Sequence, residues 1–182
     1  PITVYTGIPK SKLSNRDGHG QKITVILLHP GYTGYGDPDN DIMLLKLDTA
    51  VTGDFVKLPT EDECNTVNKQ APAKTNLLVA GWGRTKPNDP KSKPDKLMCA
   101  KLKLASCPSD ATNKPLSDQF CAGDAKHYTA CGDSGGGLVH GNIIYGVVSM
   151  ACKQEDKQVA TIFTSVCYPA HLDWIKKTTG LP

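Results

Sequence analysis

Residues 132–136 read Gly-Asp-Ser-Gly-Gly, and this stretch says more about the fold and chemistry of the chain than any other. A nucleophilic serine needs a sharp turn that presents its hydroxyl, and nearby backbone N–H groups that can hold an oxyanion. Glycines on both sides of Ser134 permit such a turn and the close approach of a carbonyl group. Taken alone, these residues also fit a glycine-rich hairpin turn that contains an incidental serine.

Apolar runs of strand length lie before and after this turn. They are rich in Val, Ile, Leu and Thr, are bounded by Gly, Pro, Asn or Asp, and occupy residues 22–28, 42–47, 76–81, 137–140, 143–149 and 160–166. Residues 140–142 (His-Gly-Asn) separate two of these runs and predict a hairpin turn. A helix is predicted over residues 168–179, because lysines near its end and the following Gly180 suit a helix C-terminus. The whole pattern predicts an all-β barrel or sandwich.

The composition is that of an ordinary globular chain and argues against several functional classes. The 182 residues carry a net charge of +3 and the basic residues are scattered, so no nucleic-acid or membrane partner is expected. No metal or other cofactor is expected either. The glycine-rich stretch at residues 8–21 contains Asp17 as its only acid, and Ca²⁺ usually takes several oxygen ligands. The chain does not begin with Met, so we expect it to start at a processing site or an artificial cut.

Seven cysteines stand at positions 64, 99, 107, 121, 131, 152 and 167, without a C-x-x-C pair or zinc-site spacing. Disulfides formed in an oxidising compartment explain them better. We therefore expect a protein that is secreted to the extracellular space or stored in secretory granules. Because the number is odd, at least one cysteine is free or has a partner elsewhere.

Several motifs follow one another in an order that resembles the chymotrypsin-like (trypsin-fold) family of serine endopeptidases. The interval from Asp41 to Ser134 is also close to that of the family. The motifs occupy residues 40–47 (NDIMLLKL), 80–83 (AGWG), 120–123 (FCAG), 131–136 (CGDSGG), 146–149 (GVVS) and 162–166 (IFTSV), the last ahead of residues 174–175 (WI).

The resemblance implies a fold of two antiparallel Greek-key β-barrels and a short C-terminal helix. Residues 1–60 would be the remainder of an incomplete first barrel that carries the triad acid. Residues 61–182 would form the second barrel, which carries the nucleophile, and the helix.

The resemblance also implies a role for each residue of the site. Ser134 is the nucleophile and Asp41 is the acid that orients a catalytic histidine. The N–H groups of Gly132 and Ser134 form the oxyanion hole, and Ser149 supports Asp41. Asp133 takes a salt bridge from a new N-terminus when a zymogen is cleaved.

The family's histidine motif, which resembles Ala-Ala-His-Cys and precedes the triad acid, is missing from these residues. The histidines are His19, His29, His127, His140 and His171, and none of them stands in such a motif. We therefore expect an N-terminally incomplete chain, whose histidine lies in a missing segment or a separate chain. The alternative is a catalytically inactive homologue that acts as a binding or regulatory module.

The cysteines support the same expectation. The resemblance implies the pairs Cys64–Cys167, Cys107–Cys121 and Cys131–Cys152. It leaves Cys99 to bridge to the missing segment or chain.

The resemblance places a specificity pocket around Thr129, Ser149, Ala151 and Thr161. Thr129 at its base is uncharged, and Ala151 and Thr161 replace glycines and narrow it. We therefore expect a polypeptide substrate cleaved after small or medium apolar residues, with a chymotrypsin-like preference second. Basic residues could be accepted if an acid of residues 153–158 reached the pocket. Protein protease inhibitors are expected partners.

Overall fold

The computed structural model of the protein describes residues 2–7, 20–34, 39–69, 76–86, 88–107, 116–124, 126–150 and 160–182. Within these ranges the chain forms ten β-strands and two α-helices. The strands are β1 (Thr3–Tyr5), β2 (Gly20–Leu28), β3 (Met43–Leu47), β4 (Leu77–Gly81), β5 (Met98–Leu102), β6 (Leu104–Ala105), β7 (Gln119–Ala122), β8 (Gly137–His140), β9 (Ile143–Met150) and β10 (Thr161–Ser165). The helices are α1 (Glu61–Lys69) and α2 (Pro169–Thr179).

The strands form two antiparallel sheets, which confirms the all-β prediction. A curled sheet, shaped like half a barrel, has the order β5-β4-β8-β9-β10-β7-β6, and a smaller sheet has the order β1-β2-β3. The predicted hairpin joins β8 to β9, where His140 pairs with Ile143 across the turn and Gly141 has a φ of 61°. That positive φ explains the glycine.

The larger sheet carries the main hydrophobic core. Alternate residues of β4 face it, so Leu77 and Val79 are buried while Leu78 between them is 39% exposed. Leu138 and Phe163, from β8 and β10, join the same cluster and are fully buried. This alternation is what a strand with one covered face requires.

The smaller sheet is covered far less. The consecutive side chains from Val25 to Leu28 in β2 are between 39% and 56% exposed, and Met43 in β3 is 48% exposed. Since neighbouring residues of a strand point to opposite faces, apolar side chains reach solvent on both faces of this sheet.

Helix α2 confirms the predicted C-terminal helix. It ends at Gly180, whose φ of 73° is left-handed and whose N–H donates to the carbonyl of Lys176. Leu172 and Ile175 are buried in a cluster with Ile42, the residue that precedes β3. The helix therefore packs against the chain segment that carries Asp41.

Helix α1 and the strands β1, β5, β6 and β7 were not predicted. The signal for α1 is a capping box, in which Thr60 Oγ1 accepts from the N–H of Glu63 while Glu63 Oε2 accepts from the N–H of Thr60. The strands were missed because they are short or lie at sheet edges. For example, β5 contains Lys101 and Ala100 and is defined by its pairing with β4.

Two disulfides are formed within the described residues, one of them between segments that are distant in the sequence. Cys64 in α1 is bonded to Cys167, just before α2, and Cys107 is bonded to Cys121 in β7. Both are pairs that the resemblance implied. Cys131 is also disulfide-bonded, but its expected partner Cys152 lies outside the described residues. Among the described cysteines, Cys99 in β5 is the free one, and its side chain is exposed.

No helix in the described ranges is both long enough and apolar enough to cross a membrane. The boundary placed after residue 60 falls immediately before α1, and the division into two barrels there stays a prediction.

Candidate active site

The central strand β9 links the two halves of the candidate site. Ser149 Oγ donates a hydrogen bond of 2.8 Å to Asp41 Oδ2. The preceding residue of β9, Val148, accepts from the N–H of Gly135 and donates to the carbonyl of Gly136, both at 2.9 Å. Consecutive residues of one strand therefore hold Asp41 and the turn around Ser134.

The turn around Ser134 is built from backbone hydrogen bonds and left-handed glycines. The N–H of Asp133 donates to the carbonyl of Ala130, and the N–H of Gly136 donates to the carbonyl of Asp133. Gly132 and Gly135 have φ values of 100° and 81°, which a residue with a side chain rarely adopts. The result is an exposed Ser134 on a fixed turn.

Two backbone N–H groups of this turn remain available to a ligand. Among the described residues, no carbonyl or side-chain oxygen accepts from the N–H of Gly132 or of Ser134. Both residues are exposed, so water or a substrate oxygen can reach these donors. Such a pair of free donors beside a serine hydroxyl is the arrangement that stabilises a developing oxyanion.

The carboxylate of Asp133 points away from this opening and into the protein. Its Oδ1 accepts from the N–H of Gly83 at 2.8 Å and its Oδ2 accepts from the N–H of Ala130 at 2.9 Å. A Cβ built on Gly81 or on Gly83 would collide with the carboxyl group. The glycines of residues 81–83 (GWG) therefore make room for Asp133, a role that was not predicted from the sequence.

The expected pocket residues are only partly within the described chain. Thr129 and Thr161 are buried and bonded to each other, because Thr161 Oγ1 accepts from the N–H of Thr129 at 2.9 Å and from its hydroxyl at 3.1 Å. Ser149 lies on β9, and its hydroxyl donates to Asp41. Ala151 and residues 153–158 lie outside the described residues.

The described histidines are placed elsewhere. None of His29, His127, His140 and His171 forms a hydrogen bond with Asp41 or Ser134, and His19 lies outside the described residues. His127 lies beside Asp124 at the surface, and His140 contacts the carbonyl of Asn76. Within the described ranges, the expected residues Asp41, Ser134 and Gly132 are present, and no histidine bonds to Asp41 or Ser134.

The family is decided by comparison with known proteins. A family model described as Trypsin matches residues 2–175, nearly the whole chain. The chain belongs to the trypsin family. The match confirms the resemblance to the chymotrypsin-like serine protease family.

Individual relatives agree with this assignment. The chain is 34% identical to human kallikrein-8 over 92% of its own length and 65% of that protein's length. It is 34% identical to human kallikrein-12, covering 81% of this chain and 60% of the relative. It is 33% identical to trypsin of Sus scrofa, covering 84% of this chain and 65% of the relative. The chain thus spans just under two thirds of the length of these trypsin-family relatives.

Proposed function

We propose that the complete protein is a serine endopeptidase that cleaves peptide bonds through an acyl-enzyme on Ser134. The observation that carries this proposal is the exposed turn at Ser134, where the N–H groups of Gly132 and Ser134 are free. The strand that holds this turn, β9, also binds Asp41 through Ser149. Membership of the trypsin family supports it. The catalytic histidine would come from a segment or chain outside these 182 residues.

In the proposed reaction, Ser134 Oγ attacks the carbonyl carbon of the scissile bond. The carbonyl electron pair moves to the oxygen, which the N–H groups of Gly132 and Ser134 bind. The histidine takes the hydroxyl proton and then gives it to the leaving amine, while Asp41 keeps the imidazole oriented and stabilises its charge. Water then attacks the ester carbonyl carbon while the histidine accepts its proton. The bond between this carbon and Ser134 Oγ breaks, the histidine returns the proton to Oγ, and the peptide leaves with a new carboxyl group.

We also propose that the segment or chain that supplies the histidine packs on the smaller sheet and forms a disulfide with Cys99. The apolar side chains of Val25 to Leu28 are exposed on both faces of that sheet, and Cys99 is exposed and free among the described cysteines. A large exposed apolar patch on a folded protein commonly marks a surface that another segment or protein contacts. The shorter length of the chain relative to its matched relatives supports the same proposal.

Secretion and activation from a zymogen belong to this proposal. The disulfides Cys64–Cys167 and Cys107–Cys121 suit the extracellular space or a secretory granule. A new N-terminal ammonium would pair with Asp133, whose carboxylate is held by the N–H groups of Gly83 and Ala130. Protein protease inhibitors would occupy the same cleft as the polypeptide substrate.

For specificity, we propose cleavage after small or medium apolar residues. Thr129 is uncharged and its hydroxyl is already bonded to Thr161, so this part of the pocket offers no carboxylate to Arg or Lys. Ala151 is proposed to narrow the opening, together with Thr161.

The function is tested by labelling the complete protein with a sulfonyl fluoride or organophosphorus reagent. We expect one label per molecule, attached to Ser134, and no label in Ser134→Ala. The exposed Ser106 offers a control, since Ser106→Ala should react like the unsubstituted protein. If the complete, folded protein takes no label after cleavage of the zymogen, it is the catalytically inactive homologue.

The specificity is tested with chromogenic peptides that differ in the residue before the scissile bond. We expect the highest kcat/KM for Ala or Val, a lower value for Phe and little cleavage after Arg. A strong preference for Arg would contradict the proposed role of Thr129.

A further inference from the structure

A buried histidine and a buried carboxylate lie next to the segment that carries Asp41. His171 in α2 has 0% of its surface exposed, and Asp118, just before β7, has 1%. His171 Nε2 lies 3.5 Å from Asp118 Oδ2. Neither residue belongs to the motifs by which the sequence was interpreted, and within the described residues neither forms a hydrogen bond with Ser134.

The partners of His171 determine its charge. Its Nδ1 lies 2.8 Å from the carbonyl of Ser165, which can only accept, so Nδ1 carries a proton. Its Nε2 lies 3.0 Å from Asn40 Oδ1. The opposite amide orientation is excluded, because Asn40 Nδ2 must donate to the carbonyl of Gly31 at 3.0 Å. Both ring nitrogens of His171 therefore face acceptors, an arrangement that a doubly protonated imidazolium satisfies, and Asp118 supplies the carboxylate beside it.

Asn40 is the residue that this pair holds. Its φ of 54° makes it the described non-glycine residue with a left-handed backbone, a conformation that needs support from its surroundings. Its backbone N–H donates to Asp118 Oδ2 at 2.9 Å, and its side-chain oxygen accepts from His171. Both members of the ion pair thus bind the same residue, one through its backbone and one through its side chain.

Asn40 in turn sets the direction of the chain at Asp41. The carbonyl of Asn40 accepts from the N–H of Ile42 at 2.7 Å, which closes a tight turn with Asp41 at its centre. Ile42 is buried against Leu172 and Ile175 of α2, the helix that also carries His171. Asp41 is therefore fixed on both sides by groups that depend on this helix.

We propose that the buried His171–Asp118 ion pair positions Asp41 for catalysis by holding Asn40 in its left-handed conformation. His171 and Asp118 are positioning residues, since they act through Asn40 and touch no reacting atom. The inference rests on the proposed function, because it gives Asp41 the role of the triad acid.

The groups that face His171 agree with a charged ring. His29 and Tyr168 contact it edge-on, with ring centroids 5.1 Å away in each case. Burial, followed by the positive charge of His171, lowers the pKa of His29 below its usual range. The carboxylate that faces the ring is that of Asp118, whose Oδ2 lies 3.5 Å from Nε2.

The charge state is tested by ¹⁵N NMR of the histidine side chains in the complete protein at neutral pH. We expect both ring nitrogens of His171 to show the shifts of a protonated imidazolium, and His171→Gln identifies its signals. In Asp118→Asn the ring should lose this signature. A neutral His171 in the folded, unsubstituted protein would overturn the inference.

The positioning role is tested by kinetics of the same protein. We expect His171→Gln and Asp118→Asn to lower kcat about 10- to 100-fold, with KM nearly unchanged, because Asp41 and its histidine are misaligned. His140→Gln is the matched control, since His140 Nδ1 also lies beside a backbone carbonyl but the residue is exposed. It should keep the full kcat.

Two further measurements separate positioning from folding and from the proposed function. Asn40→Gly keeps the left-handed backbone accessible but removes the side-chain link, so kcat should fall while the unfolding transition stays cooperative. The pH profile of kcat is compared between His171→Gln and the unsubstituted protein: a positioning role predicts a changed profile, whereas a purely structural role leaves it unchanged. If Asn40→Gly and His171→Gln are both folded, take the label on Ser134 and keep the full kcat, the inference is overturned. An unsubstituted protein that takes no label would remove the proposed function, and with it the catalytic role of the pair, while the NMR signature still reports the ion pair.

Discussion

At the scale of single residues, one buried side-chain oxygen accepts two hydrogen bonds from the same neighbour. Thr161 Oγ1 accepts two hydrogen bonds from Thr129, one from its backbone and one from its hydroxyl. Both residues are almost completely buried. Removing the acceptor therefore strands two donors, whereas removing the Thr129 hydroxyl strands none of the backbone groups.

Thr161→Val should consequently destabilise the protein by about 1–3 kcal/mol, because the buried N–H and hydroxyl of Thr129 lose their acceptor. Thr129→Val should cost less, about 1 kcal/mol, since its N–H keeps its bond to Thr161. Urea unfolding of the complete protein measures both values.

Thr164→Val is the control for this prediction. Thr164 is fully buried, and its Oγ1 has no hydrogen-bond partner within the described residues. Its replacement by a group of the same shape should therefore be close to neutral. Equal losses for Thr161→Val and Thr164→Val would contradict the role assigned to Thr161 Oγ1.

At the scale of elements, helix α1 depends on one side chain at its N-terminus. Glu63 Oε2 accepts from the N–H of Thr60 at 2.8 Å and from its hydroxyl at 3.0 Å. These bonds, the backbone one first, lower the pKa of Glu63 below its ordinary value. Because the pKa is lower in the folded protein, the stabilisation is complete above the ordinary pKa and is lost as the pH falls through the lowered one.

We therefore expect Glu63→Gln to lower Tm at neutral pH and to lower it progressively less as the pH falls into the acidic range. Glu61→Gln removes a charge from the same first turn without breaking the cap, so its effect should be smaller and should vary less with pH. Calorimetric scans across the acidic range decide this. A Tm difference for Glu63→Gln that stayed constant with pH would contradict the linkage.

At the scale of the whole molecule, the two described disulfides differ in the length of chain that they enclose. Cys64–Cys167 closes a loop of 103 residues between α1 and the start of α2, whereas Cys107–Cys121 closes one of 14 residues. A longer loop restricts the unfolded chain more, so the longer bridge should contribute more to stability.

We expect the Cys64→Ser and Cys167→Ser double variant to lose about 4–5 kcal/mol of unfolding free energy. The Cys107→Ser and Cys121→Ser double variant is its matched control and should lose about 3 kcal/mol. Urea unfolding compares them. A larger loss for the shorter bridge would show that native contacts, not the restriction of the unfolded chain, dominate.

Much of the architecture was predictable from local patterns. The runs at residues 137–140 and 143–149 match β8 and most of β9, and the turn between them was predicted from Gly141. Helix α2 was predicted from its lysines and Gly180. These elements carry their own signals because their apolar period, turn residues and caps are contained in a few neighbouring residues.

The sequence by itself determined the family, the all-β class and the turn around Ser134, because each depends on motifs that are continuous in the chain. Only the tertiary structure revealed that the glycines of residues 81–83 make room for Asp133, and that His171 and Asp118 meet at Asn40. Those contacts join residues that are from about 50 to 131 positions apart. No local pattern encodes them, since a buried ion pair is defined by which elements pack together and not by the residues that flank each partner.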